Sequence, residues 1–309
     1  NIAILGGGLT GLTLANLLYD IKTDDIKILE KEKECGGLCR SLQENGYTFD
    51  WGGSHVIFSK DTEVLEFIKN MLKNNIVQRR RNAKILYNGR LVKYPFENGL
   101  ADLSIKDNLE CLYGFLDAHK KRNNGDNINP NNFKEWMYYM FGSGITEKYL
   151  MPYNEKIWKL DPINIDTCWV KDRIPQPPVE HIINASYGLE TEGYIHQLNF
   201  YYPQEGGIKA LINSLEKKIR YNIIFDFNVN KIERIEDGWS VSNGKDYIKC
   251  NEIISTIPLF DLIYSLKDVP KNVLNAVDDL KYNSLITVMI GFKAHNTNNI
   301  SWLYIPDSS

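Results

Sequence analysis

Hydrophobic and polar positions alternate with clear changes of period along the chain. Asn1–Leu5 is an apolar run of strand length, Gly6–Gly11 is a glycine-rich turn, and Leu12–Tyr19 carries small and apolar residues at helical spacing. Ile26–Leu29 is a second apolar run, closed by Glu30. Strand, turn, helix and strand in that order predict a parallel β-α-β unit. In Thr62–Lys73 the residues Val64, Leu65, Ile68, Met71 and Leu72 share one face, so an amphipathic helix is expected there. Lys84–Tyr87 and Arg90–Tyr94 flank Asn88-Gly89, a hairpin signal. From Ile105 to about Tyr153 the period is helical, with the polar stretch Arg122–Asn132 expected as an exposed loop. Pro175, Pro177 and Pro178 mark an extended connector, and Gly206-Gly207 precede an amphipathic helix over Ile208–Lys218. Ile223–Phe227, Val229–Ile235, Trp239–Val241, Ile253–Ile257, Ser284–Phe292 and Ser301–Ile305 read as strands.

Composition narrows what such a chain can do. At 309 residues, about two domains are expected. The net charge of −3 argues against nucleic acid or an anionic membrane as the main partner. Residues 2–19 carry no charge, yet the four glycines inside that run and its lack of a basic flank argue against a membrane span. The five cysteines, odd in number and widely scattered, do not make a disulfide framework and imply a reducing cytoplasm. Cys35 and Cys39 lack the second pair that a zinc site needs, so no metal is expected. The chain opens on a strand-like run and stops just after another, so a longer protein is expected, with the C-terminal part of its second domain missing here.

Gly6-x-Gly8-x-x-Gly11 follows a strand, opens a helix, and is followed 19 residues after Gly11 by Glu30 at the next strand's end. That context is what a dinucleotide-binding fingerprint requires: glycines for backbone approach to a pyrophosphate, helix N–H groups as donors, and an acidic acceptor for a ribose diol. Gly36-Gly37-Leu38-Cys39-Arg40 comes six residues after Glu30. A second glycine pair and an Arg at that place resemble the FAD-dependent amine-oxidase and GDP-dissociation-inhibitor superfamily. The resemblance implies that this loop follows the same diphosphate, that Arg40 reaches the cofactor or its phosphate, that the backbone at Val229 lies beside the adenine, and that Thr256-x-Pro258 turns near the flavin. The fold implied is α/β, a Rossmann-like FAD-binding domain with a helical and mixed-sheet substrate domain. The expected boundaries are 1–80 with 200–262 for the first, and 81–199 with 263–309 for the second, mainly helical at 105–160.

Further segments resemble the UDP-galactopyranose mutases within that superfamily. Gly52-Gly53-Ser54-His55-Val56-Ile57-Phe58 resembles their Gly-Gly-His-Val-Ile-Phe loop, which touches the flavin, with Ser54 inserted. Tyr94-Pro95-Phe96-x-Asn98 resembles their Tyr-Pro-Phe-x-Asn segment, and Met151-Pro152-Tyr153-Asn154-x-Lys156-x-Trp158 resembles part of their helical substrate domain. Trp169-x-x-Asp172-Arg173 and Trp302-Leu303-Tyr304-x-Pro306 have counterparts as well. The resemblance implies Gly53 at the cofactor, and Phe96, Asn98, Asn154, Trp158 and Tyr304 at the substrate. It implies Arg173 on the substrate diphosphate and His55 holding the flavin electron-rich. The activity implied is interconversion of UDP-galactopyranose and UDP-galactofuranose through a reduced-flavin N5–sugar adduct. FAD would be non-covalent, the substrate a nucleotide sugar, and NAD(P)H a candidate reductant. The same glycine motifs are compatible with an FAD oxidoreductase of the amine-oxidase or protoporphyrinogen-oxidase kind, and with a non-enzymatic binder like the GDP-dissociation inhibitors.

Overall fold

A computed structural model describes residues 1–21, 25–124, 129–170, 173–174, 176–191, 198–294 and 299–307. In chain order the strands and helices are β1 (Ile2–Leu5), α1 (Leu9–Asp20), β2 (Ile26–Leu29), β3 (Ser41–Glu44), β4 (Tyr47–Asp50), α2 (Thr62–Leu72), β5 (Val77–Arg80), β6 (Ala83–Tyr87), β7 (Arg90–Lys93), α3 (Ile105–Asn123), α4 (Phe133–Ile145), α5 (Met151–Trp158) and α6 (Val179–Ser186). They continue as β8 (Asn199–Tyr202), α7 (Lys209–Ile219), β9 (Ile223–Ile224), β10 (Lys231–Ile235), β11 (Gly238–Ser242), β12 (Tyr247–Cys250), β13 (Glu252–Ser255), α8 (Leu259–Ser265), α9 (Lys271–Asp278) and β14 (Trp302–Tyr304). No helix of the described residues is long and apolar enough to cross a membrane.

The chain divides into two compact units, Asn1–Arg79 with Phe200–Gly291, and Arg80–Asn199 with Phe292–Ser309. Residues 263–291, which the sequence assigns to the substrate domain, therefore belong by their contacts to the first unit. The reason is packing: Leu262 and Leu266 at α8 join the apolar cluster beneath the first unit's sheet.

In the first unit four parallel strands run in the order β13-β1-β2-β9. Strands buried on both faces read as continuous apolar runs, and β1 is one of them. Ile4 packs with Leu12, Ala15, Leu211 and Leu215 of α1 and α7. Its neighbours Ala3 and Leu5 point the other way, onto Val241 and Cys250 of the antiparallel sheet β10-β11-β12. Helix α1 starts at Leu9, three residues before the apolar pattern predicts, so that Gly11 lies in its first turn.

In the second unit β6 and β7 form the expected hairpin and β14 adds to β6 in parallel. Helices α3 and α4 cross at glycines. A Cβ on Gly142 would lie 2.0 Å from the Gly114 carbonyl oxygen. Gly142 sits at φ 72°, ψ 177°, a backbone region essentially closed to other residues, and it breaks α4 there. The break frees carbonyls of the preceding turn. Arg122 takes two of them, donating to the Tyr139 oxygen and, at 3.2 Å, to the Met140 oxygen. Arg122 is thus the end of α3 and a cap for α4, not part of an exposed loop. Asn132, at the other end of that polar stretch, is buried and caps α4 through the Glu135 N–H. Residues 125–128 between them lie outside the described residues. A π-helical turn, Thr146–Leu150, joins α4 to α5.

One expected strand does not form. Ser284–Phe292 has no regular secondary structure and pairs with no described strand, with Leu285, Ile286, Val288 and Phe292 at least 70% exposed. Its apolar, β-branched composition is that of a strand. A strand also needs a neighbour's N–H and C=O groups, and none of the described strands supplies them.

Candidate functional site

Two turns meet at the carboxyl end of β1 and β2. Gly6 donates from its N–H to the Leu29 carbonyl at 2.9 Å, and Gly36 donates to the Gly7 carbonyl at 2.9 Å. Gly8 and Gly36 form a parallel bridge, and a Cβ on Gly37 would sit 3.6 Å from the Gly8 Cα. The glycine pairs singled out in the sequence are therefore back to back. Gly8 faces open space, with nothing within 4 Å of its would-be Cβ. It is also the N-cap of α1, which has no side-chain cap and no acidic residue in its first turn. This is an open cradle at a positive helix end, suited to a diphosphate.

Gly11 has a different task. A Cβ there would lie 2.1 Å from the Gly6 carbonyl oxygen and 3.0 Å from the Thr256 hydroxyl. Thr256 follows β13 and donates to the Leu5 oxygen at 2.8 Å and the Gly6 oxygen at 3.2 Å. It braces the first glycine turn from beneath, a role its distant sequence position does not reveal. Pro258 is exposed and caps α8.

Glu30 is 6% exposed. Its Oε2 accepts from the Gly7 N–H at 2.7 Å and its Oε1 from the Glu32 N–H at 2.9 Å. Each oxygen keeps a second lone pair that can accept from a diol. Val229 packs with Ala3, Leu5 and Leu29. Its carbonyl accepts from Ser265 at 3.3 Å, and its N–H has no partner among the described residues. Cys35 lies under the turn, its Sγ 2.9 Å from where a Gly7 Cβ would be. Burial pushes the Cys35 thiol up to about 12, with Glu30 adding to the effect, so it is a packing residue rather than a nucleophile.

Arg40 folds back on its own loop. Its Nε donates to the Gly37 carbonyl at 3.0 Å and its guanidinium lies 5.0 Å from the Trp51 ring centroid. It holds the second glycine turn in shape. The half-buried His55 ties the following loop to that turn through Nε2, 2.9 Å from the Leu38 carbonyl. A carbonyl only accepts, so Nε2 carries a proton. Gly53, at φ 96°, has only Leu285 near its would-be Cβ, at 4.0 Å.

In the second unit the expected substrate residues separate into two groups. Trp158 is 41% exposed and donates from Nε1 to the Asn154 Oδ1 at 3.3 Å. Asn154, 8% exposed, spends its amide N–H on the Leu150 carbonyl at 2.8 Å. Asn154 therefore orients Trp158 from below. Trp169 packs on Trp158 at 5.6 Å, and Arg173 ends the turn that carries Trp169, its N–H on the Val170 carbonyl at 3.1 Å. The Arg173 side chain is exposed, with no ion-pair partner among the described residues. Asp172 lies outside the described residues.

Tyr304 stacks on Tyr94 at 4.7 Å and meets Tyr153 of α5 edge-on at 5.7 Å. Phe96 is fully buried, stacked on Tyr149 at 5.0 Å. The ring is part of the second unit's core, with Phe115 and Phe141. Asn98 is 7% exposed and bonds Thr191 at 2.9 Å. Arg81, which joins Tyr94 and Tyr304, is not marked by any motif in the sequence. The one available signal was its place in the Arg79-Arg80-Arg81 run.

The family model for flavin-containing amine oxidoreductases matches residues 9–304. The chain belongs to this family. The crystal structure of a reduced UDP-galactopyranose mutase is similar at 28% identity and a TM-score of 0.79, covering 86% of this chain and 56% of the mutase. A putrescine oxidase variant with redesigned cofactor binding is similar in fold, with a TM-score of 0.58, 12% identity, and cover of 89% and 62%. Among curated proteins, an uncharacterised protein from the nifH2 3′ region of Methanothermococcus thermolithotrophicus is 38% identical over 69 residues, 22% of this chain and 66% of that protein. The chain thus spans less than two thirds of each of these proteins' own length. It is a mutase-like member of the flavin-containing family, with that family's cofactor-binding α/β fold. The cradle fits the flavin dinucleotide the family description implies: open space beside Gly8, an uncapped helix end, and a buried carboxylate with lone pairs to spare.

Proposed function

We propose that the protein is a flavin-dependent mutase acting on UDP-galactose, with FAD held non-covalently by the first unit. The observation that carries the reading is Trp158: a ring exposed on one side and oriented by the buried Asn154. A ring so held can pack against a uracil or sugar face. Similarity to the mutase at 28% identity supports the same reading.

Reduced FAD, when bound, supplies a nucleophilic N5 for the anomeric carbon. The chain's own residues do the rest. Gly6, Gly8 and the first turn of α1 receive the cofactor diphosphate, and Glu30 accepts from its ribose. His55 holds the Gly52-Gly53 loop and keeps the flavin electron-rich. Arg173 takes the diphosphate of the sugar nucleotide in bidentate fashion and stabilises the charge on the departing UDP. Tyr304 contacts the nucleotide. The five unpaired cysteines support a reducing, cytoplasmic setting, in which NAD(P)H is the natural reductant.

The test is calorimetry of UDP with the full-length protein, its flavin reduced by dithionite. Wild type binds, and Arg173→Ala loses at least about tenfold in affinity, roughly 1.4 kcal/mol, with FAD affinity unchanged. Wild type that ignores millimolar UDP refutes the mutase. The second reading, an FAD oxidoreductase of the amine-oxidase kind, is favoured by the family description and would then stand first. A full-length protein that cannot be loaded with FAD would leave only a GDP-dissociation-inhibitor-like binder.

A further inference from the structure

Arg81 stands at the junction of three aromatic side chains within the second unit. Its backbone N–H is anchored on the Leu198 carbonyl at 2.7 Å. Its guanidinium carbon lies 4.8 Å from the Tyr94 ring centroid and 5.1 Å from that of Trp302. Nη2 donates to the Tyr304 hydroxyl at 2.7 Å. Two ring faces thus hold a planar cation and aim one of its donors at one phenol. The arrangement joins residues 223 apart in sequence.

A guanidinium cannot accept a hydrogen bond. The Tyr304 oxygen must therefore be the acceptor in this contact, and its own proton points elsewhere. The Tyr304 ring cannot swing away easily, because Tyr94 stacks on it and Tyr153 closes its edge. Burial raises the phenol pKa of both neighbours, that of Tyr153 to about 12, so they remain neutral at physiological pH.

We propose that Arg81 is a positioning residue of the substrate site. By donating to Tyr304 it turns the Tyr304 O–H outward, as a donor to an anionic oxygen of the bound nucleotide. The identity of that ligand rests on the sugar-nucleotide reading above; the pairing of Arg81 with Tyr304 does not.

The experiment uses the full-length holoprotein labelled with 13C at the tyrosine Cζ. The resonance absent from Tyr304→Phe identifies Tyr304. In Arg81→Gln that resonance is expected to move. Arg81→Lys, which has no planar fork to lie against two rings, moves it in the same direction and is the variant to read if Gln does not fold. UDP titrations then complete a double-mutant cycle. Tyr304→Phe and Arg81→Gln each weaken binding by about two- to tenfold, the range for one hydrogen bond. Arg81→Gln adds no further loss in the Tyr304→Phe background. A residue that merely stabilised the fold would weaken binding in both backgrounds. An unmoved Tyr304 resonance overturns the proposal whatever UDP does, and additive losses overturn it as well. If the resonance moves while wild type binds no UDP, the sugar-nucleotide reading falls and the Arg81–Tyr304 pairing stands.

Discussion

Gly8 and Gly11 belong to one motif and look interchangeable in sequence, yet the fold predicts opposite outcomes for their replacement by Ala. At Gly8 the new methyl meets nothing within 4 Å, and the residue's φ of −75° suits any L-residue. Ala is a poorer N-cap than Gly by about 0.5–1 kcal/mol. It also removes about 0.4–1 kcal/mol of unfolded-chain entropy. The two offset each other, so Gly8→Ala should be about as stable as wild type. Its methyl, however, fills the cradle. Displacing a diphosphate from even one backbone N–H costs about 1.5–3 kcal/mol, a loss of roughly ten- to a hundredfold in FAD affinity. At Gly11 the methyl would lie 2.1 Å from the Gly6 carbonyl oxygen and 3.0 Å from the Thr256 hydroxyl. Overpacking of this kind costs about 1–3 kcal/mol, and a displaced Thr256 hydroxyl adds roughly 0.5–1.5 kcal/mol. Gly11→Ala should therefore lose stability as well as FAD. The assay is a thermal melt of each protein stripped of cofactor, followed by FAD titration through flavin fluorescence quenching. Gly8→Ala binding FAD like wild type would place the diphosphate elsewhere. Equal destabilisation by both substitutions would show that the space beside Gly8 is not open.

Glu30→Gln keeps one acceptor for two backbone donors and sets an amide N–H against the other, whereas Glu30→Ala loses both; FAD affinity should fall in the order wild type, Gln, Ala, and an Ala variant with wild-type affinity removes Glu30 from the site. Gly142→Ala forces a methyl to 2.0 Å from the Gly114 oxygen at a φ of 72° and should cost about 2–6 kcal/mol, whereas Arg122→Gln strands two carbonyls for about 1–3 kcal/mol. Chemical denaturation ranks them, and a Gly142→Ala protein as stable as wild type would contradict the crossing. Alkali offers a third test. Burial raises the thiols of Cys35 and Cys111 from 9.0 to about 12. The unfolded chain ionises these thiols first, so their contribution is complete below pH 9 and is lost as pH rises towards 12. Denaturant midpoints should fall across that window, and less steeply in Cys35→Ala/Cys111→Ala; identical slopes would refute the assignment.

How the chain divides between sequence and tertiary structure follows from the range of the forces involved. Residues 1–30 announce a strand, a glycine turn, a helix and a strand ending in an acid, because side-chain period and turn sterics act over a few residues. Ile26–Leu29 and the hairpin about Asn88-Gly89 were legible for the same reason. The start of α1 at Leu9 was not, since a glycine inside a helix is locally unfavourable, and the close approach of the Gly6 carbonyl, held from the far side by Thr256 after β13, leaves no room for a side chain there. Ser284–Phe292 has the composition of a strand but no partner among the described residues, and pairing is a property of two segments. The site divides in the same way. The glycines and Glu30 declare their chemistry by spacing, whereas Phe96 and Asn154 reveal theirs only by burial and by what their atoms already bond. Arg81 and Thr256 are local ciphers. Each acts on a residue more than 200 positions away, and that proximity exists only once the chain has folded.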